Sequence, residues 1–284
     1  MKKNWLFGKN IIISGASGGL GFAIAKLLIE KYDCNVIGIC RNEKKVLSAR
    51  ETLKDKKEKF SYVLFDVSDK ENWKNFAKNL KDNGITPDIL INNAGFMLPF
   101  EVFEKVGEDE IDEIIDTNFK SVVYGAKYML PLIRESKTPA IINVASAAGR
   151  CAVVGETMYC ATKYAVRGFT EALHQDYKKS IYIAGIYPGF IKTDITDRLN
   201  LSEKNYGTIS KMMLPAKKAA KRIVKRIRRK KKTIVIGFDG HFMSGCGRLF
   251  PRTTPSLITS VLKISGLELF DDVFNVEKNK EKNK

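Results

Sequence analysis

The chain has 284 residues, 44% of them hydrophobic, which suits one large α/β domain with an added tail and excludes a disordered chain. Its formal net charge of +17 is local: Ala216–Lys232 (AKKAAKRIVKRIRRKKK) holds eleven Lys or Arg and no acid, which leaves only +6 on the rest. Any polyanion or membrane partner must therefore be argued from that segment. Along the chain, Asn10–Ser14 reads as a buried strand and Leu20–Tyr32 as a helix. Val36–Cys40 is a second strand, Glu43–Lys57 a charged helix, Phe60–Val67 a third strand and Lys70–Lys81 a helix. Asp88–Ile91 is a fourth strand, followed by a long helical stretch to Leu132. Ala140–Ala145, a helix at Met158–Tyr177 and Ile181–Tyr187 continue the alternation, and Thr233–Ile236 is a last strand. Strands alternating with helices at this spacing predict a doubly wound parallel sheet, the Rossmann-type α/β fold.

The end of the chain is less regular. Pro215 opens a helix with Ala219, Ala220, Ile223, Val224 and Ile227 on one face, and Thr254-Pro255 reads as the cap and first residue of a short amphipathic helix. The expected organisation is a catalytic unit over 8–237, a C-terminal extension over 238–276 and a solvated tail over 277–284. The five cysteines have no C-x-x-C spacing and no His or Cys cluster beside them, so they read as reduced thiols of a cytoplasmic protein without a zinc site. Met1-Lys2-Lys3 starts like a signal peptide, but its apolar run breaks at Gly8-Lys9-Asn10, so cleavage is not expected. No stretch approaches the roughly 18 apolar residues of a membrane span.

The first strand runs into Ser14-Gly15-Ala16-Ser17-Gly18-Gly19-Leu20-Gly21, a G-x-x-x-G-x-G turn that opens a helix. Glycines there let the backbone approach a pyrophosphate at the helix N-terminus. The second strand ends at Cys40-Arg41, about twenty residues on. An NAD-binding chain places an acid there for the ribose hydroxyls, and a 2′-phosphate needs a cation. Arg41, helped by the Ser17 hydroxyl, therefore points to NADP.

Tyr159 and Lys163 stand four apart on one predicted helix and so share a face. An ammonium beside a phenol favours phenolate, which would let Tyr159 exchange a proton with a carbonyl or alcohol oxygen. Ser146 follows the fifth strand, at the sheet edge where a ligand should sit.

Over about residues 8–193 the chain resembles the short-chain dehydrogenase/reductase family. Five motifs occur in the family's order: the glycine turn Gly15/Gly19/Gly21, Asp66-Val67, Asn92-Asn93-Ala94-Gly95, the set Asn118/Ser146/Tyr159/Lys163, and Pro188-Gly189 followed by Thr193. The resemblance implies that Gly15, Ser17, Gly19, Leu20, Gly21, Arg41, Asp66, Val67, Asn93, Ala94, Gly95, Tyr159, Lys163, Pro188, Gly189 and Thr193 bind the dinucleotide, with Asp66 approaching the adenine. It implies that Tyr159 passes the proton, Ser146 orients the substrate oxygen, and Lys163 lowers the Tyr159 pKa and holds the nicotinamide ribose. Asn118 would anchor a water linking Lys163 to solvent. A homo-oligomer is expected on the same ground. The alternative is a non-enzymatic NADP-binding regulatory or scaffold protein, against which the intact proton-transfer set argues.

Phe96–Phe100, Val153-Val154, Phe190 and the loop Leu199–Leu214 with Met212 and Met213 are candidates to line the substrate side. Their apolar character points to a hydrophobic small-molecule carbonyl or alcohol, steroid-like or fatty. The basic segment has three readings: a solvated helix face, a peripheral membrane contact helped by the apolar stretch Leu249–Phe274, or a nucleic-acid site. The last is disfavoured because no aromatic residue interleaves with the charges.

Overall fold

The computed structural model describes residues 4–193 and 213–275. The expected loop Leu199–Leu214 lies outside the described residues as far as Met212, and the tail 277–284 lies outside them entirely. A parallel sheet carries strands β1 (Asn10–Ser14), β2 (Asn35–Cys40), β3 (Phe60–Leu64), β4 (Ile89–Asn92), β5 (Ala140–Val144) and β6 (Tyr182–Pro188). After the two-residue pair β7 (Ile191–Lys192) and β8 (Leu214–Pro215), β9 (Thr233–Ile236) closes the edge, giving the order β3-β2-β1-β4-β5-β6-β9. The order reverses between β1 and β4, which leaves a crevice at the carboxyl ends of the strands.

Strand periodicity sorts the core. Ile11 and Ile13 of β1 face helices α1 (Gly19–Tyr32) and α7 (Ala216–Arg228), while Ile12 faces α3 (Lys70–Asp82) and α5 (Ser121–Ile133). On α7 the five predicted apolar residues are all buried against that core, and the cations take the outer faces. Burying each of Ile223, Val224 and Ile227 contributes about 1.5–3 kcal/mol, so this helix has a structural reason to be amphipathic. On the other face Trp73 is fully buried, its indole N–H donating to the Val67 carbonyl at 2.8 Å.

Several expected boundaries move for local reasons. The third strand stops at Leu64 rather than Val67, because Asp66 folds back to accept from the Ser68 N–H and hydroxyl at 2.9 and 2.7 Å. The charged helix α2 spans only Glu43–Glu51, and after Lys54, at φ 54°, the chain continues as a 3₁₀ helix over Lys54–Lys59. The long helical stretch divides into α4 (Glu108–Ile115), a π-helical turn (Asp116–Lys120) and α5. Thr254 is not the cap expected of it. Helix α9 begins at Thr253 (Thr253–Ser265), and the Thr254 hydroxyl donates to the Phe250 carbonyl. An unforeseen helix, α8 (Phe238–Leu249), precedes it despite three glycines. It forms because Gly240 and Gly247 pack directly on Gly189 and on the Arg150 carbonyl, where a Cβ would sit only 2.9 and 2.8 Å away. Helix α6 (Thr157–Tyr177) carries the Tyr159/Lys163 pair.

Candidate active site

A cleft of about 500 Å³ opens at the carboxyl ends of the strands. One end is built by the glycine turn between β1 and α1. Gly15 adopts φ +67°, and a Cβ on Gly21 would overlap the Gly15 carbonyl, so both positions require glycine. Asn93 fixes this turn from the neighbouring strand: its amide donates to the Ser14 and Gly15 carbonyls at 2.9 and 3.2 Å, and its backbone N–H donates to the Ser14 hydroxyl. The turn is thereby held before any ligand arrives. Ser17, Gly19, Leu20 and Arg41 line the same end of the cleft with Asn42 and Lys45. Arg41 lies 3.8 Å from the Asp66 carboxylate in a half-exposed pair, which a bound phosphate can replace at little cost.

The other end is buried. Tyr159, Lys163 and Ser146 line one wall, with Tyr159 7% and Lys163 3% exposed. The Lys163 ammonium lies 5.4 Å from the centroid of the Tyr159 ring. Burial pulls Lys163 down to about 8 from its ordinary 10.5. It pushes the Tyr159 phenol above its usual range, opposed by a hydrogen bond from the Ser146 hydroxyl. In this cleft desolvation dominates the phenol, and the Ser146 hydrogen bond works against it.

Asn118 is fully buried on the π-helical turn, where its amide holds both backbone atoms of Phe96 at 2.9 Å and reaches Thr162 at 3.4 Å. Its side chain is therefore committed to bracing the Asn93–Phe96 segment, and a solvent link through Asn118 could run only by its backbone. A second buried chain runs from Asn92 to Asn143 to Thr170, each step 2.9 Å, tying β4 and β5 to α6.

Of the expected residues, Gly15, Ser17, Gly19, Leu20, Arg41, Val67, Asn93, Ala94, Gly95, Ser146, Tyr159, Lys163, Pro188, Gly189 and Thr193 line the cleft. Gly21, Asp66 and Asn118 are not among its lining residues: Gly21 packs on the Gly15 carbonyl, Asn118 is fully buried, and Asp66 is half exposed beside Arg41. Among the apolar candidates Phe96, Met97, Phe100, Val153 and Phe190 line it, whereas Leu98, Val154 and Met213 do not. Sequence reasoning missed Lys45, Glu156, Asp239 and Met243, all on the cleft wall. Lys45 stands four residues after Arg41 at a helix start, and Asp239 follows Gly237 just past β9, so position alone could have suggested both. The Asp239 carboxylate accepts from the Phe190 N–H at 2.6 Å and would overlap a Cβ on Gly189.

The family described as short chain dehydrogenase matches residues 9–204. An uncharacterized oxidoreductase of Staphylococcus saprophyticus is 35% identical over 197 residues, 68% of this chain and 78% of that one. A 3-oxoacyl-(acyl-carrier-protein) reductase of Chlamydia muridarum is 35% identical over 203 residues, 70% of this chain and 81% of its own length. Among solved structures, a short chain dehydrogenase from Burkholderia cenocepacia in complex with NADP superposes with a TM-score of 0.74 at 19% identity, covering 89% of this chain and 98% of that one. One from Burkholderia phymatum in complex with NAD gives 0.73 at 21% identity, covering 85% and 92%. Sequence and fold agree: the chain belongs to the short-chain dehydrogenase/reductase family of oxidoreductases.

Proposed function

We propose that the protein is an NADP(H)-dependent oxidoreductase that interconverts a ketone and a secondary alcohol on a hydrophobic substrate. The observation that carries this reading is the convergence of Ser146, Tyr159 and Lys163 on one buried wall of a cleft whose other end is a glycine turn flanked by cations. The residues fit the dinucleotide. The turn presents backbone where side chains would block it, and Arg41 with Lys45 offers positive charge at the end of β2 where an acid would select NAD. Gly15, Ser17, Gly19 and Leu20 would hold the pyrophosphate, Val67 would border the adenine, and Lys163 would reach the nicotinamide ribose. Asn93–Gly95, Pro188, Gly189 and Thr193 would border the nicotinamide.

When bound, the cofactor supplies the hydride that reduces the carbonyl carbon. The chain supplies the proton. Tyr159 keeps its hydrogen because burial holds its phenol up, which suits a donor to the developing alkoxide. Ser146 orients that oxygen, and the Lys163 ammonium stabilises the phenolate as the proton leaves. Oxidation of an alcohol runs through the same groups in reverse. Phe96, Met97, Phe100, Val153, Phe190 and Met243 line the cleft without a cation among them, which suits an apolar substrate rather than a free carboxylate. The reductase named among the relatives supports the reducing direction.

The test is turnover of NADPH and NADH against ketones and aldehydes that include steroids and 3-oxoacyl thioesters. Wild type should consume NADPH with a hydrophobic class. Arg41→Ala should raise the KM for NADPH about tenfold or more and leave that for NADH nearly unchanged. Equal effects on both cofactors would defeat the NADP assignment.

A further inference from the structure

Among the described residues fourteen large apolar side chains are exposed, and seven of them fall between Phe238 and Ile264. That is half of the exposed apolar set in about a tenth of the chain, a concentration that monomeric surfaces rarely tolerate. The spacing is regular. Phe238, Phe242 and Leu249 stand on the outer face of α8, while Gly240, Met243, Ser244 and Gly247 take the inner one. Leu257, Val261 and Ile264 repeat at four and three residues along α9, where Thr254 is the one buried residue. Phe250, 61% exposed, lies in the connection between the two helices.

Charge distinguishes the occupants. From Gly240 to Gly266 the chain has no acidic residue, whereas Arg248, Arg252 and Lys263 are exposed among the apolar side chains. A second copy packed face to face would set these cations against one another with no carboxylate in either patch to pair them. An anionic lipid leaflet matches both properties: apolar side chains enter the acyl boundary and the cations remain at the headgroups. Neither helix is long and apolar enough to cross a membrane. Helix α9, with 13 residues, is roughly 20 Å long against a hydrocarbon core of about 30 Å.

We propose that the α8–α9 surface docks the protein on an anionic membrane, lying in the interface without spanning it. The basic helix α7 is not the docking element, since its whole apolar face is spent on the core. The docking stands independently of the catalytic reading. If that reading also holds, the arrangement explains the apolar cleft, because Met243 and Asp239 line the cleft from the opposite side of the docking helix. Substrate dissolved in the leaflet would then be about one helix diameter from the site.

The experiment is co-sedimentation of the full chain with vesicles of phosphatidylglycerol and phosphatidylcholine, and of phosphatidylcholine alone, at low and high salt. Light scattering and circular-dichroism melting of each variant run beside it. Wild type should pellet with the anionic vesicles at low salt and less at high salt. A Phe242→Ser, Val261→Ser, Ile264→Ser triple variant should bind at least about tenfold more weakly with its melting curve unchanged. Replacing Lys217, Lys221 and Lys225 by Gln should cost no more than about twofold, the loss of long-range attraction alone. Failure of wild type to pellet at low salt, or equal pelleting by the triple variant, would overturn the proposal. So would a wild-type dimer that the triple variant converts to monomer without any vesicle binding, which would assign the surface to a second copy.

Discussion

Lys163→Met offers a stability test of the buried proton-transfer site that needs no substrate. Lys163 is 3% exposed, and burial alone pulls its pKa from 10.5 to about 8. That displacement corresponds to about 3 kcal/mol by which the fold opposes the ammonium. The sign follows from which state holds the proton. Below pH 8 both states are protonated, and the folded chain carries the full cost. Between 8 and 10.5 the folded chain releases its proton while the unfolded chain keeps it, so stability rises. Above 10.5 the cost has vanished. Methionine fills a similar volume without the charge but gives up the contact with the Tyr159 ring. Lys163→Met should therefore exceed wild type by about 2–3 kcal/mol at pH 7 in denaturant unfolding without cofactor, or roughly 4–10 °C in Tm. The gap should close as the pH approaches 10.5. A variant less stable than wild type at pH 7, or a difference that does not change with pH, would refute the argument.

Glu156 gives a second pH signature. It is 3% exposed, neither carboxyl oxygen has a partner among the described residues, and burial raises its pKa well above 4.5. The fold therefore favours the neutral acid, and stability is lost as pH rises above the ordinary carboxyl range. Glu156→Gln should match wild type in acid and be the more stable protein at neutral pH, a comparison that thermal melts at the two pH values make directly. Phe270 is 2% exposed and meets Phe100 edge-on with ring centroids 4.7 Å apart, in the same apolar cluster as Tyr159. Phe270→Ala should cost about 3–5 kcal/mol, measured by urea unfolding, and a loss under 1 kcal/mol would show that the C-terminal segment does not share the core. Gly21→Ala should weaken dinucleotide binding at least about tenfold, read by NADPH fluorescence, because the new Cβ overlaps the Gly15 carbonyl.

What the sequence disclosed follows the range of the forces involved. Strands β1 and β9 are legible to the residue because apolar runs and flanking turn residues are local signals. The glycine turn and the Tyr159/Lys163 face are legible for the same reason, since four-residue spacing on a helix fixes proximity. The π-helical turn at Asp116–Lys120 left no such signal. Asn118 turns inward there to satisfy the backbone of Phe96, a partner twenty-two residues away. Helix α8 was hidden by its glycines, whose low propensity is outweighed by close packing on Gly189 and Arg150. The desolvation that raises the Tyr159 phenol left no sequence signal, because a charge pair can be read from spacing and burial cannot. Glu156 escaped notice similarly: a glutamate three residues before Tyr159 looks like surface until the fold buries it.

The most direct test of the account follows deuterium from NADPH deuterated at C4 into the product alcohol by mass spectrometry, with wild type and Tyr159→Phe assayed side by side on the hydrophobic ketones. The account predicts deuterium at the former carbonyl carbon with wild type. It also predicts a loss of at least about a hundredfold in rate for Tyr159→Phe, which should bind NADPH as tightly as wild type. Transfer at an undiminished rate by the variant would contradict the role of Tyr159. NADPH binding with no transfer to any carbonyl would contradict the assignment as an oxidoreductase of this substrate class.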